Sequence, residues 1–224
     1  MSDTKLKVKC IKFVLIGDKK VGKSSIINAL VNKEFSKEYI PTSTIPSEKY
    51  SIPEVNNFVL KITDAPGDKQ FKELIIEELE NSHFVFIVFD ITNKNSYDSI
   101  NSWINDLDIN KHLNHLDLVL IGNKLDLEKE RKVRKEDASN FASKNNMKYY
   151  ETSALNKVNI KKIFEESAKS CLQKKDDKSN TKSLSETDIL NMQTIESINL
   201  DINLDEKNTN SNNKEKACCC CSCF

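Results

Sequence analysis

Four glycines, four prolines and three histidines are all that 224 residues carry. Glycine usually makes up about 7% of a chain. A sequence this sparing keeps glycine where no other residue fits, and the positions are Gly17, Gly22, Gly67 and Gly122. Charge of one sign is also lacking, because 34 Lys and Arg balance 34 Asp and Glu. That balance gives no electrostatic case for nucleic acid as a main partner. No stretch approaches the ~18 continuous apolar residues of a membrane span. The opening MSDTKLKVK has no apolar core of the signal-peptide kind, so a cytoplasmic protein is expected. His83, His112 and His115 have no partner at metal-ligand spacing and read as structural or solvated. These absences exclude a transmembrane protein, a secreted disulfide scaffold and a basic nucleic-acid binder.

What is present is unevenly distributed. The apolar share is 38%, below the roughly 45–50% of globular chains, so part of the chain should not pack. Between residues 11 and 173 apolar runs alternate with amphipathic segments. IKFVLIG (11–17), FVLKITD (58–64), FVFIVFD (84–90) and LVLIGNK (118–124) read as buried strands, with further strands at 48–52 and within 147–154. Helical periodicity is expected over 23–33, 71–81, 96–110 and 135–146. In the segment from Asn159 to Gln173, Ile160, Ile163, Phe164, Ala168 and Cys171 share one helical face. The expected fold is α/β, with a mainly parallel six-stranded sheet and helices on both faces. Ligands in such folds bind beyond the C-terminal strand ends. All four glycines fall in or beside such loops.

Four regions follow: a short extension at 1–10, the domain at 11–173, a polar and mostly disordered linker at 174–217, and a cysteine-rich end at 218–224. An apolar patch from Ile189 to Leu204 interrupts the linker. It is either a docking segment or part of the disordered stretch. Cys10 and Cys171 read as buried small apolar residues.

Gly17-Asp18-Lys19-Lys20-Val21-Gly22-Lys23-Ser24 fits G-x-x-x-x-G-K-[ST] between a strand and a helix. In that setting backbone N–H groups cradle phosphate oxygens at the positive helix end. Lys23 then reaches the β- and γ-phosphates, and the Ser24 hydroxyl binds Mg²⁺. About one hundred residues on, Asn123-Lys124-Leu125-Asp126 follows another buried strand. A carboxylate at Asp126 can accept from two adjacent N–H donors, a pair that guanine presents and adenine does not.

With these motifs in place, residues 11–173 resemble a Ras-superfamily small GTPase, a P-loop GTPase fold. Tyr39-Ile40-Pro41-Thr42 resembles the first switch, Asp64-Ala65-Pro66-Gly67 the D-x-x-G of the second, and Glu151-Thr152-Ser153-Ala154 the E-T-S-A loop. The resemblance implies phosphate contacts from Gly17, Asp18, Lys19, Lys20, Val21, Gly22, Lys23, Ser24, Ser25, Thr42 and Gly67. It implies base-side contacts from Phe35, Asn123, Lys124, Asp126, Ser153 and Ala154, and a nucleotide contact from Tyr39 in the first switch. Mg²⁺ falls to Ser24, Thr42 and Asp64, and catalysis of GTP hydrolysis to Lys23, Thr42, Gly67 and Asp68. Asp68 stands where the family has a water-orienting glutamine, so it either slows hydrolysis or acts as a general base. Leu155 replaces the lysine that often follows E-T-S-A and changes one wall of the base pocket.

FDITNKNSYDSINSWINDL (89–107) is most similar to the Rab branch. The segments STIPSEKY (43–50), Thr63 and IIEELENSH (75–83) depart from it, and these are regions where family members meet effectors and regulators. The resemblance implies a GTP/GDP switch regulating vesicle trafficking, acting as a monomer with an exchange factor, an activating protein and effectors. The alternative is a GTP-bound scaffold with negligible turnover.

The end, CCCCSCF, fits two lipidation patterns. Cys221-Ser222-Cys223-Phe224 is a C-a-a-X match, and Cys220-Cys221 resembles a double-cysteine ending. Cys220, Cys221 and Cys223 are therefore prenyl candidates, and Cys218 and Cys219 palmitoyl candidates. A second lipid is expected because one chain anchors marginally. The expected location is the cytosolic face of an endomembrane or the plasma membrane. A metal-binding cysteine tract is the competing reading.

Overall fold

Mainly apolar runs, KCIKFVLI and FVFIVFD, build the centre of the sheet. The computed structural model describes residues 9–36, 40–52, 58–107 and 116–176, all within one unit, Met1–Thr181. The strands are β1 (Lys9–Ile16), β2 (Ser47–Ser51), β3 (Phe58–Asp64), β4 (Phe84–Asp90), β5 (Asp117–Asn123) and β6 (Lys148–Glu151). They form one sheet in the order β2-β3-β1-β4-β5-β6. Only the β2–β3 pairing is antiparallel. All seven residues of β4 are buried, as a central strand covered on both faces requires.

The pleat divides the strand side chains between two cores. Phe13, Leu15 and Phe86 pack with Ile26 and Leu30 of α1 (Lys23–Leu30) and Phe164 of α6 (Ile160–Asp176). Val14, Ile16 and Val85 face the other way. They pack with Ile75 and Leu79 of α2 (Lys72–Glu80), Ile104 of α4 (Ile100–Asp106) and Ala142 of α5 (Lys135–Lys144). Helices therefore cover both faces, and the parallel strands end together at one edge.

Several boundaries differ from the sequence expectation. β1 begins at Lys9, paired with Phe58 across the register, so residues 9 and 10 belong to the sheet rather than to an extension. Cys10 is half-buried, not buried, while Cys171 is buried. α1 stops at Leu30, because Asn32 takes a left-handed φ of 59°. The segment expected as one helix over 96–110 is two, α3 (Lys94–Asp98) and α4. Asn93 starts α3 early by accepting from Asn95 N at 3.1 Å. The helix expected over 71–81 begins as a 3₁₀ turn, Lys69–Phe71, and α6 continues through Asp176. His83 is structural, its Nδ1 accepting from Lys12 N at 3.2 Å. Tyr39, His112, His115, the patch 189–204 and Cys218 to Cys223 lie outside the described residues. Among the described residues no helix is long and apolar enough to cross a membrane.

Candidate functional site

β1 ends at Ile16, and the chain turns through residues 17–22 into α1. Gly22 allows that turn, with φ of 95° and Asn123 Nδ2 lying 2.3 Å from where a Cβ would sit. No side chain caps the helix and its first turn holds no acidic residue, so its leading N–H groups stay open to an anion. Lys23 folds back over the loop. Its Nζ donates to Gly17 O at 2.7 Å and Asp18 O at 2.8 Å. Burial pushes its pKa down to about 8, against the pull of Asp64 and Asp18. An anion in the loop would favour the charged form.

Beside this loop three oxygen-bearing side chains converge. Ser24 Oγ donates to Asp64 Oδ2 at 2.5 Å, and Thr42 Oγ1 lies 3.5 Å from the same oxygen and 3.4 Å from Ser24 Oγ. Asp64 Oδ1 is buried with no hydrogen-bond partner. Burial raises the Asp64 pKa, opposed by Ser24, Lys23 and Thr42. An orphaned carboxylate oxygen beside two hydroxyls fits a hard divalent cation.

The opposite end is built by Asn123. Its Nδ2 donates to Val21 O at 2.9 Å, and its Oδ1 accepts from Thr152 Oγ1 at 3.1 Å and Ala154 N at 3.3 Å. One side chain thus ties the phosphate loop to the loops after β5 and β6. Asp126 Oδ1 accepts from Ser153 Oγ at 2.5 Å, and Ser153 Oγ accepts from Asn156 N at 3.1 Å. Lys124 adopts φ of 70° and pairs with Asp90 Oδ2 at 2.7 Å.

The D-x-x-G loop closes against the phosphate loop. A Cβ at Gly67 would lie 2.6 Å from Lys19 N, so only glycine allows this approach. The next residue, Asp68, pairs with Lys19 Nζ at 2.6 Å and accepts from Gln70 N at 3.2 Å. Lys19 holds the Asp68 carboxyl below its ordinary pKa. Asp18 turns away from the loop's interior. Its carboxylate accepts from Trp103 Nε1 at 2.7 Å and Ser99 Oγ at 2.8 Å. Two departures noted in the sequence meet one another, since Thr63 Oγ1 donates to Glu78 Oε2 at 3.4 Å.

A cavity of about 460 Å³ runs between these loops. It is lined by Lys19, Lys20, Gly22, Lys23, Ser24, Ser25, Phe35, Thr42, Gly67, Lys124 and Ala154, all named from sequence, and by Leu155. Asn28, Lys33 and Lys157 also line it without having been singled out, having no motif of their own. Phe35 is 44% exposed at its rim. Asp64 lines an adjoining cavity of about 310 Å³ with Ser24 and Thr42. The size suits a small-molecule ligand, with phosphate-type donors at one end and a carboxylate–hydroxyl pair beside the other.

The Ras family matches residues 12–173 of the chain. The chain is 34% identical over 167 residues to the Ras-related protein Rab-2B of Dictyostelium discoideum, covering 73% of this chain and 81% of that one. It is 32% identical over 166 residues to the Ras-related protein Rab-27A of Canis lupus familiaris, covering 69% and 75%. The Ras-related protein Rab-1 of Theileria parva is 33% identical over 165 residues, covering 73% and 74%.

Proposed function

The chain belongs to the Ras family as a Rab-like small GTPase, and from that premise we propose that the cavity holds GTP or GDP with Mg²⁺ and hydrolyses GTP slowly. The observation that carries this reading is the cavity's two ends. Lys23, Ser24 and Thr42 line the cavity from the phosphate loop and the first switch, with Asp64 bonded to both hydroxyls, and Lys124, Ala154 and Leu155 line it from the loops after β5 and β6, where Asp126 is held by Ser153.

Each group has a physical task. Lys23 and the leading N–H groups of α1 neutralise and position the phosphates. Ser24, Thr42 and Asp64 would hold Mg²⁺, which neutralises charge on the β- and γ-phosphates when bound. Asp126 accepts from the guanine N–H pair at acceptor sites that its bond to Ser153 leaves open, while Phe35 and Leu155 supply apolar walls. In hydrolysis a water oxygen bonds to the γ-phosphorus as the bond from that phosphorus to the bridging oxygen breaks, and a proton of the water passes to a phosphate oxygen, leaving GDP and phosphate. Asp68 has no donor to hold that water, and its charge repels the anionic phosphate, so turnover is slow. The scaffold reading draws on the same residue, because the Lys19–Asp68 pair occupies the carboxylate that would otherwise meet the water.

The test is nucleotide competition followed by single-turnover hydrolysis on the purified full chain. GTP and GDP should displace labelled GDP while ATP does not. Equal displacement by ATP overturns the guanine reading. Bound GTP that never turns over, even over days, selects the scaffold.

The switch acts on membranes in vesicle traffic, with an exchange factor, an activating protein and effectors as partners and the protein itself monomeric. Support comes from the likeness to Rab proteins and from the terminal cysteines. Replacing Cys218 to Cys221 and Cys223 by serine should leave nucleotide binding intact and release the protein from membrane pellets. Unchanged pelleting excludes the lipid anchor.

A further inference from the structure

We propose that Lys19 is a built-in counter-ion that lets the second switch carry a carboxylate beside the γ-phosphate, so that the Lys19–Asp68 pair sets the preference for GTP over GDP. The inference rests on the guanine-nucleotide reading of the cavity and adds to it a determinant of which nucleotide state the chain favours.

Asp68 is held in place from three directions. Gly67 lies so close to the Lys19 and Asp18 backbone that no side chain fits between them. Asp68 Oδ1 accepts from Gln70 N at 3.2 Å, capping the 3₁₀ turn. Lys69 Nζ is bound to Ser102 Oγ and to Asp106 Oδ2 of α4. The carboxylate is thus fixed against the phosphate loop rather than swinging on a loose segment.

Lys19 lines the cavity, and its Nζ reaches Asp68 Oδ2 at 2.6 Å. A γ-phosphate bound there is anionic and would face a second anion at Asp68. GDP lacks that group and escapes the repulsion. An ammonium on the cavity wall, bonded to that carboxylate, offsets the repulsion for GTP alone. The pair is too exposed to act mainly as a structural staple, at 54% and 33% side-chain exposure.

The test is a double-mutant cycle on the full chain, read as the ratio of affinities for a non-hydrolysable GTP analogue and GDP. Calorimetry with Lys19→Met, Asp68→Asn, the double variant and Lys19→Arg supplies the ratios. Lys19→Met should lower the preference for the GTP analogue about tenfold. The same change should cost less than about threefold once Asp68 is Asn. Lys19→Arg should keep the wild-type ratio, which a purely packing role would not do. Added salt should narrow the gap between wild type and Lys19→Met. Equal losses for both nucleotides, or the same loss in both backgrounds, overturn the inference while leaving guanine binding intact. A wild-type chain that binds neither nucleotide overturns the nucleotide reading and this inference with it.

Discussion

The two ends of the cavity are held in different ways. At the base end, Asn123 is 1% exposed and spans three loops with neutral hydrogen bonds. Backbone bonds from Leu125 N to Thr152 O at 3.0 Å and Thr152 N to Gly122 O at 2.8 Å reinforce it. At the phosphate end the contacts are charged, longer or incomplete. Thr42 stands 3.4–3.5 Å from its neighbours, Asp64 Oδ1 has no hydrogen-bond partner, and Lys19–Asp68 is an exposed pair. Satisfied buried bonds persist whatever the ligand. Exposed charges and an unmet oxygen leave room to respond when the ligand gains or loses a phosphate. A switch needs both kinds, a fixed grip on the base and a replaceable grip on the group that changes.

Breaking the fixed end should give the largest effects. Asp126→Asn turns a two-acceptor group into one acceptor and one donor. The preference for GTP over xanthosine triphosphate should fall by about a thousandfold, and an unchanged preference in a competition titration removes Asp126 as the base reader. Asn123→Ala strands Val21 O, Thr152 Oγ1 and Ala154 N in the interior. Urea unfolding should show a loss of about 3 kcal/mol; a loss below about 1 kcal/mol would mean the loops hold together without it.

Effects at the replaceable end should be smaller and selective. Ser24→Asn removes one hydroxyl of the cation cluster and should lower GTP affinity about tenfold more than GDP affinity. Equal losses count against the cluster. Lys23 makes nucleotide affinity depend on pH. Its pKa is depressed to about 8 from an ordinary 10.5, and a bound anion raises it again. Above about pH 8, binding must therefore take up a proton, so affinity should fall with rising pH by at most about tenfold per unit. A flat profile from pH 7 to 10 would show that Lys23 stays charged without the ligand. Smallest of all, Asp68→Gln should raise the single-turnover rate about threefold by restoring a donor to the water. A wild-type rate at or above that of the variant points to a base role for Asp68.

Much of this was legible in the sequence, and for a physical reason. The run FVFIVFD has no polar residue before its terminal aspartate, so a central strand was its natural place, and all seven residues are buried. Gly22 and Gly67 sit where a Cβ has no room, and a glycine-poor chain exposes such positions. The 11–173 pattern of strands and helices carried the fold because it repeats locally. What escaped was contact between distant polar side chains. Lys19 and Asp68 are 49 residues apart, Trp103 and Asp18 are 85 apart, and Asn123 and Val21 are 102 apart. No periodicity marks such pairs, and only the folded loops bring them together. Asn123 is a nucleotide-contact candidate from its motif, and only the fold shows that its side chain also joins the loops. Helix limits were missed for a third reason. Asn93 and Asp68 cap short turns through single side-chain bonds, which hydrophobic spacing does not register.

The hydrogen bond from Trp103 to Asp18 has an optical consequence. Trp103 is the chain's one tryptophan, it is buried, and its indole N–H donates to a carboxylate on the phosphate loop at 2.7 Å. The ultraviolet emission of an indole responds to nearby charge and to the loss of such a bond. Any ligand that reshapes the loop therefore acts on the protein's sole strong emitter. Nucleotide arrival and departure should be visible as a change in intrinsic emission, with no dye attached and no labelled nucleotide. Trp103→Phe should abolish that signal while the cavity still fills.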